Sequence, residues 1–519
     1  MLIGWTVVAF YSLATALTRE NPRPAQRGEG GPKGRVRGCA NVHSPTGGMG
    51  SSMIKFGTSG WRGIIGEDFT FENVRVASQG IANYLKKSQQ KGTGVVVAYD
   101  TRFLSEKFAS EAARILAFND IHAFLCTRDA PTPCVSYETV RRKAMGAINF
   151  TASHNPPEYN GLKFSTSNGA PALPEVTRGI EREIHALQEK NTKIDVYAKT
   201  ELIENIDPKD RYLGELRNKI DVDVIRKSGL RIAIDSLYGT ARDYLDYFLL
   251  ESGVEVKIIH NYRDPYFGGF SPECNEKNLG ELRKIVLAEK FDLGLATDGD
   301  ADRFGIIDER NRFVSPNTIL ALLSVYLKRE RKIPGGLARS VATTHLIDAI
   351  ARKLDVPLFE TPVGFKYIGE LILADKIALG GEESAGMSMY RHLPEKDGIL
   401  ACLLVAEMVA RTGKRLHDLT RQMHAEFGTY YSKRSDMKLT PQLKETLASK
   451  LAHPPAKLDG LKVRNVNTTD GVKLIFDDQT WLLFRLSGTE PVARVYAEAC
   501  SPKDLKNLLD AGKKFVAPA

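Results

Sequence analysis

Thr151-Ala152-Ser153-His154-Asn155-Pro156-Pro157-Glu158-Tyr159-Asn160-Gly161-Leu162-Lys163-Phe164 follows directly on an apolar run, Met145 to Phe150. The run reads as a buried strand. It stops at small and polar residues, and Pro156 and Pro157 oppose both a longer strand and the start of a helix. Asn160-Gly161 signals a turn. Ser153 is therefore expected on a fixed loop just past the carboxyl end of a strand, where open α/β sheets hold their ligands. With His154 beside it and Lys163 downstream, it suits a nucleophile or a phosphate carrier. Taken alone, the stretch reads equally well as a loop of turn formers.

Around this stretch, strands alternate with helices. Gly94 to Asp100 and Ile121 to Cys126 read as strands, Ser105 to Asn119 as a helix with a serine start signal, and Thr132 to Lys143 as a second helix opened by prolines. The alternation predicts a mostly parallel sheet covered on both faces. It recurs. Strands Leu230 to Asp235, Val254 to Ile259 and Phe291 to Ala296 enclose helices Ala241 to Glu251 and Leu279 to Glu289. A third round has helix Thr318 to Arg331, strand Ser340 to Thr343, helix Leu346 to Lys353, strand Pro357 to Glu360, helix Tyr367 to Ala374 and strand Ile377 to Leu379, closed by the helical stretch Asp397 to Thr412. Three α/β units, each with a special loop after a strand, amount to a weak internal repeat. From about Phe427 the pattern becomes α+β, with short strands at Lys462 to Val466, Gly471 to Phe476, Trp481 to Arg485 and Val492 to Glu498, a hairpin signal at Asp477-Asp478, and a final helix from Pro502 to Lys514.

A chain of 519 residues is too long for one core, so several domains are expected. Apolar residues at 42% and charged residues at 26% place it among globular proteins. The six cysteines, Cys39, Cys126, Cys134, Cys274, Cys402 and Cys500, have neither metal nor disulfide spacing. That points to a reducing compartment, the cytoplasm. Of the formal charge of +9, +4 falls in residues 1–52, leaving +5 over the other 467. No basic run is interleaved with aromatics, which argues against nucleic acid, while the mild positive balance suits anionic small molecules. Leu2 to Leu17 is apolar but short for a membrane span, and no basic residue precedes it as in a secretory signal. Residues 19–52, rich in Gly, Pro, Arg and Ser, read as disordered, and the first 52 residues as an extension with no part in the chemistry, a targeting segment being the minority alternative.

The special loops carry the chemistry. Phe291 to Ala296 runs into Thr297-Asp298-Gly299-Asp300-Ala301-Asp302-Arg303. Three alternate carboxylates converging on one point repel unless a cation sits among them. Few, hard oxygen ligands fit Mg²⁺. A calcium loop is the rival, since Asp-x-Asp-x-Asp begins EF-hands and Glu309 has the spacing of their last ligand. Arg303 stands where that loop needs glycine, and strands flank the segment, so Mg²⁺ is preferred. An acidic surface turn is the plain alternative. Arg485-Leu486-Ser487-Gly488-Thr489-Glu490-Pro491, with Arg494 nearby, offers a guanidinium fork, hydroxyls and backbone N–H groups, a cradle for phosphate. Glu382, Glu383 and Ser384 offer acceptors for sugar hydroxyls, though alone they read better as a polar turn. Arg62, in Gly57-Thr58-Ser59-Gly60-Trp61-Arg62-Gly63, can hold an oxyanion.

Together these loops resemble the α-D-phosphohexomutase superfamily, closest to phosphoglucomutase/phosphomannomutase. The matched segments are Phe56 to Gly63, Thr151 to Pro156, Asp298 to Arg303, Gly381 to Ser384 and Arg485 to Pro491, in the family's order from Met53 to the C-terminus. The resemblance implies three similar mixed α/β domains and a C-terminal α+β domain around a central cleft, with boundaries at 53–200, 201–310, 311–426 and 427–519 after the extension 1–52. It implies that Ser153 carries the phosphoryl group, that Asp298, Asp300 and Asp302 bind Mg²⁺ with the phosphoserine as a further ligand, and that Glu382 and Ser384 contact the sugar. Arg485, Ser487, Gly488, Thr489 and Arg494 are then the grip on the non-reacting phosphate. His154, Lys163, Arg62 and Arg303 are the candidates for proton handling, phosphate orientation and charge compensation. The expected substrates are hexose phosphates, with a hexose 1,6-bisphosphate as intermediate and activator, in a monomeric or dimeric enzyme without nucleic-acid or membrane partners. Glu382-Glu383-Ser384 and Pro394-Glu395-Lys396-Asp397-Gly398 resemble phosphoglucomutase more than phosphoglucosamine mutase, with a coexisting phosphomannomutase activity, or phosphomannomutase or phosphoglucosamine mutase in its place, as the alternatives. A metal-dependent sugar phosphatase and a non-catalytic binding relative are the remaining classes.

Overall fold

Val95, Val97 and Tyr99 turn to one face of their strand and pack with Val74, Ala77, Ile81, Phe108, Ala112 and Leu116. Val96 and Ala98 turn to the other and pack with Val135 and Ala147. Burial on both faces is why the strands Val95–Tyr99 and Gly146–Phe150 are apolar almost throughout. The computed structural model describes residues 53–57, 60–89, 91–194, 199–477, 479–486 and 492–517. The expectation of a disordered extension at 1–52 lies outside the described residues.

The first sheet has six strands in the order Trp61–Ile64, Tyr159–Thr166, Gly146–Phe150, Val95–Tyr99, Ala123–Cys126, Ile203–Ile206. The last four are parallel, and Tyr159–Thr166 runs antiparallel beside Gly146–Phe150. The second sheet repeats this plan. Leu293–Thr297 is parallel to Arg231–Asp235 and antiparallel to Phe304–Asp308. So does the third, where Ile377–Glu382 is parallel to Gly336–Ser340 and antiparallel to Gly386–Met389. Each special loop therefore joins a parallel strand to its antiparallel neighbour: 151–158, 298–303 and 383–385. Each also holds one non-glycine residue in the left-handed region, Ser153 (φ 51), Ala301 (φ 58) and Ala385 (φ 69). The repeat thus extends to the backbone of the functional loops, at a conformational cost of order 1 kcal/mol each.

The helix Gly398–Thr412 is buried along nearly its whole length, in a core shared by the second and third sheets. The fourth sheet is antiparallel, in the order Tyr431–Lys438, Val492–Ala499, Trp481–Leu486, Val472–Ile475, Asn465–Asn467. One face, with Leu482, Phe484 and Val495, packs on its own helices through Leu447, Leu505 and Leu508. The other, with Trp481, Leu483 and Tyr496, packs on Val341 and Ala342 of the third unit.

Four local expectations need correction. Asn160-Gly161 is not a turn but lies inside Tyr159–Thr166, where Gly161 pairs with Arg62. A Cβ there would meet the Thr151 carbonyl at 2.5 Å, so the glycine serves close approach rather than chain reversal. The strand expected at Ser340 to Thr343 is Gly336–Ser340. Val341 and the threonines after it have β-forming side chains, but they form the turn on which Trp481 packs. The helix expected from Ala241 begins only at Leu245, after a run of turns. Ser105 is the first helical residue rather than the cap, and its hydroxyl donates instead to Asp100 Oδ1 at 3.0 Å.

Candidate active site

Ser153 is buried, and one side chain fixes its loop. Arg102, fully buried, donates to the carbonyls of Ser153 (2.7 Å), Asn155 (2.7 Å), Pro156 (2.8 Å) and Tyr159 (3.0 Å) and pairs with Asp100 Oδ2 at 3.1 Å. A planar five-donor guanidinium is suited to hold that many carbonyls at once. The Ser153 N–H donates to Thr151 Oγ1 at 2.9 Å. Its hydroxyl donates to Asp298 Oδ2 of the second unit at 2.8 Å.

Asp298, Asp300 and Asp302 are buried, with ligand oxygens all within 4.8 Å of one another. Asp300 Oδ2 accepts from Thr132 Oγ1 at 2.5 Å and Lys163 Nζ at 2.6 Å. Asp302 Oδ2 accepts from Lys396 Nζ at 2.9 Å and Lys163 Nζ at 3.1 Å. Asp300 Oδ1 and Asp302 Oδ1 are buried without a hydrogen-bond partner. Hard oxygens, like charges brought together and two unsatisfied buried acceptors fit a divalent cation such as Mg²⁺. The electrostatics agree. Burial, with Asp302 and Asp300 beside it, pushes the Asp298 carboxyl well above its usual range. Burial also pulls on Asp302, but Lys163, Lys396 and Arg303 outweigh it and hold that carboxyl well below.

The structure separates the groups that the sequence leaves unranked. Arg303 first, then burial and Arg62, press the His154 imidazole well below its normal pKa, so it is neutral near pH 7. Its Nδ1 lies 3.3 Å from Ser153 Oγ. Lys163 feels the opposite balance: burial opposes its charge, but Asp300 and Asp302 prevail and raise its pKa. Arg62 Nη1 donates to Asn155 Oδ1 at 2.6 Å, which sets its guanidinium beside the Ser153 loop.

Sequence reasoning missed Arg102, Asp100 and Thr132, and quoted Lys396 only within a motif. The first two had a signal, a charged Asp100-Thr101-Arg102 at the end of an apolar strand. Lys396 is carried by the turn before helix Gly398–Thr412, whose N-cap Asp397 accepts the Leu400 N–H at 2.8 Å and the Tyr212 hydroxyl at 2.8 Å. A Cβ at Gly386 would meet Lys396 Cδ at 2.3 Å, so this glycine opens the path of the lysine toward Asp302.

A cleft of about 290 Å³ is lined by Arg303 of the second unit, Glu383, Ser384 and Ala385 of the third, and Arg434 and Tyr496 of the fourth. Ser384 thus faces the cleft, together with Glu383. Glu382 is buried behind them, its Oε1 accepting the Gly364 N–H at 2.7 Å. Burial, with Glu383 adjacent, pushes the Glu382 carboxyl up to about 7. Arg485 and Arg494 stand opposite each other on neighbouring strands. Ser487, Gly488 and Thr489 lie outside the described residues, as do Thr58 and Ser59. Among the described residues, no helix is long and apolar enough to cross a membrane.

Four family models match in chain order: Phosphoglucomutase/phosphomannomutase alpha/beta/alpha domain I at residues 53–191, domain II at 210–311, domain III at 315–427 and the C-terminal domain at 446–512. The chain is 32% identical over 468 residues to a phosphoglucomutase/phosphomannomutase of Thermococcus kodakarensis, covering 89% of this chain and 98% of that one. It is 29% identical over 461 residues to a probable phosphoglucosamine mutase of Methanosphaera stadtmanae, covering 89% and 98%. The crystal structure of a putative phosphomannomutase from Thermus thermophilus superposes with a TM-score of 0.79 at 33% identity, covering 90% of this chain and 99% of the other.

Proposed function

Because the chain belongs to the phosphoglucomutase/phosphomannomutase family, we propose that this phosphohexomutase interconverts glucose 1-phosphate and glucose 6-phosphate through a phosphoserine at Ser153. The observation that carries this reading is the bond from the Ser153 hydroxyl to Asp298 Oδ2 at 2.8 Å, at the edge of a buried carboxylate trio. A serine held by a four-carbonyl staple beside such a trio is built to carry a charged group, not to fill a turn.

In the first half-reaction the free hydroxyl of the hexose phosphate attacks the phosphorus on Ser153. The new P–O bond forms to the sugar, the P–Oγ bond breaks, and the proton of the attacking hydroxyl must reach Oγ. His154 is the neutral base among His154, Lys163 and Arg62, and its Nδ1 lies 3.3 Å from Oγ, so we assign the relay to it: the imidazole takes the proton of the attacking hydroxyl and delivers one to Oγ as the P–Oγ bond breaks. Lys163, Arg62 and Arg303 stay cationic and offset the charge of the transferring phosphoryl group. Asp298, Asp300 and Asp302, with an oxygen of Ser153, would hold Mg²⁺, which supplies charge stabilisation at the phosphoryl oxygens. The resulting hexose 1,6-bisphosphate turns over and returns its other phosphate to Ser153. Arg485 and Arg494, with the Ser487–Thr489 loop, grip whichever phosphate is not reacting. Glu383 and Ser384, with Glu382 behind them, recognise the sugar hydroxyls. We place the domains at 53–200, 201–310, 311–426 and 427–519.

Mannose or glucosamine phosphate is the competing substrate, because the relatives include enzymes so named. The test is to supply glucose, mannose and glucosamine 1-phosphates and quantify the 6-phosphates and inorganic phosphate. Glucose 6-phosphate as the best product supports the reading. Inorganic phosphate as the main product would make the protein a phosphatase.

A further inference from the structure

Asp470 belongs to none of the groups described so far. It lies in the turn between the strands Asn465–Asn467 and Val472–Ile475. The next residue, Gly471, has φ 89, and a Cβ there would meet the Phe484 carbonyl oxygen at 2.4 Å and Arg485 Cα at 3.2 Å. The turn is thus pressed against the backbone that carries Arg485, and Asp470 has little freedom to drift. Its Oδ2 accepts two bonds from different units, one from Arg485 Nε at 2.8 Å and one from the Val363 N–H at 3.0 Å. The bond to Arg485 uses Nε and keeps the two Nη groups, the fork that a phosphate takes, out of that pair. On the other side, Val363 precedes Gly364, whose N–H donates to Glu382 Oε1 at 2.7 Å. Both ends of the pair are largely shielded, with Arg485 15% and Asp470 25% exposed, so water competes weakly.

We propose that Asp470 is a positioning residue that couples the grip on the non-reacting phosphate to the recognition of the sugar. It aims the Arg485 fork and, through Val363 and Gly364, seats Glu382 behind the sugar-binding loop. This rests on the reading of Arg485 as a ligand of the substrate phosphate. One consequence is particular to it: a residue that touches no sugar alters discrimination between sugars. A hairpin turn that merely stabilised the fourth sheet would leave that discrimination alone.

The experiment compares Arg485→Ala, Asp470→Ala, Asp470→Asn and the double Arg485→Ala/Asp470→Ala in the full chain. The readouts are KM for glucose 1-phosphate and the kcat/KM ratio for glucose over mannose 1-phosphate. Arg485→Ala and Asp470→Ala should each raise KM about tenfold, the factor expected when one hydrogen bond to a charged group is lost. The double variant should match Arg485→Ala within about twofold, since the two act as one unit. Both Asp470 variants should shift the sugar ratio; the isosteric Asn keeps the turn intact if Ala does not fold. If the single effects multiply to about a hundredfold, or if Arg485→Ala raises KM while the Asp470 variants leave either KM or the sugar ratio unchanged, the coupling is overturned and the phosphate reading stands. If Arg485→Ala itself leaves KM unchanged, the phosphate reading falls and the coupling falls with it.

Discussion

Replacing Arg102 by Met should damage the enzyme in two separable ways. The first is stability. Arg102 and Asp100 are both fully buried, and removal of one partner strands the other in a low-dielectric interior. Loss of one member of a buried pair costs about 3–5 kcal/mol. Asp100 would keep the Ser105 hydroxyl and the backbone N–H of residue 102, both at 3.0 Å from Oδ1, and a hydrogen bond from Thr151, but no charge to balance its own. The second is catalysis. The carbonyls of Ser153, Asn155, Pro156 and Tyr159 would lose their common donor, and Ser153, at φ 51, would be free to relax to a more favourable backbone conformation. A displacement of about 1 Å at a reacting group lowers kcat by about a hundredfold. The double variant Asp100→Asn/Arg102→Met separates the effects. It removes the stranded charge, so urea denaturation should show most of the lost stability restored. The kcat for glucose 1-phosphate should stay low, because the carbonyls still lack their staple. A double variant that recovers kcat along with stability would refute the assignment of Arg102 to the Ser153 loop.

Three further outcomes follow from the site. The Glu382 carboxyl is raised from 4.5 to about 7 by burial and by Glu383, so the native state favours its neutral form; that stability is full below the unfolded pKa and is lost as pH rises toward 7. Glu382→Gln keeps the acceptor for Gly364, so its melting temperature should match wild type in acid and exceed it above neutrality, by on the order of 3 kcal/mol in stability; a difference that does not change with pH contradicts the burial argument. Asp300→Asn and Asp302→Asn should each weaken Mg²⁺ binding by tenfold or more, as about one charge-assisted ligand is lost, and calorimetry giving an unchanged Kd would remove these carboxylates from the metal site. A chain beginning at Met53 should keep the kcat and melting temperature of the full chain, and a large fall in either would give residues 1–52 a structural role.

The sequence was most legible where burial is two-sided. Runs such as Val95–Tyr99 and Gly146–Phe150 announce themselves because both faces need apolar side chains. The Asp298, Asp300 and Asp302 trio was legible because its alternation is local, and the structure brings the three together. What escaped was non-local. Arg102 lies 51 residues from Ser153, and nothing in the order of residues says that its guanidinium crosses to that loop. Thr132 reads as a helix start, yet its hydroxyl goes to Asp300, 168 residues away. Strand ends misled where a β-forming residue packs in a turn, as Val341 does beneath Trp481. Asn160-Gly161 misled because glycine permits a tight turn and a close strand contact alike, and only the Thr151 and Trp61 carbonyls, at 2.5 and 2.8 Å from its would-be Cβ, decide between them.

The central claim is that Ser153 carries the phosphoryl group between the two positions of the sugar. The direct measurement treats the full chain with glucose 1,6-bisphosphate, locates added phosphate by intact mass and peptide mapping, and follows its discharge by glucose 6-phosphate. The account predicts one phosphate, on Ser153, transferred back to the sugar at least as fast as turnover, and neither label nor turnover in Ser153→Ala. Near-normal turnover in Ser153→Ala, or discharge of the phosphate to water rather than to sugar, would contradict it.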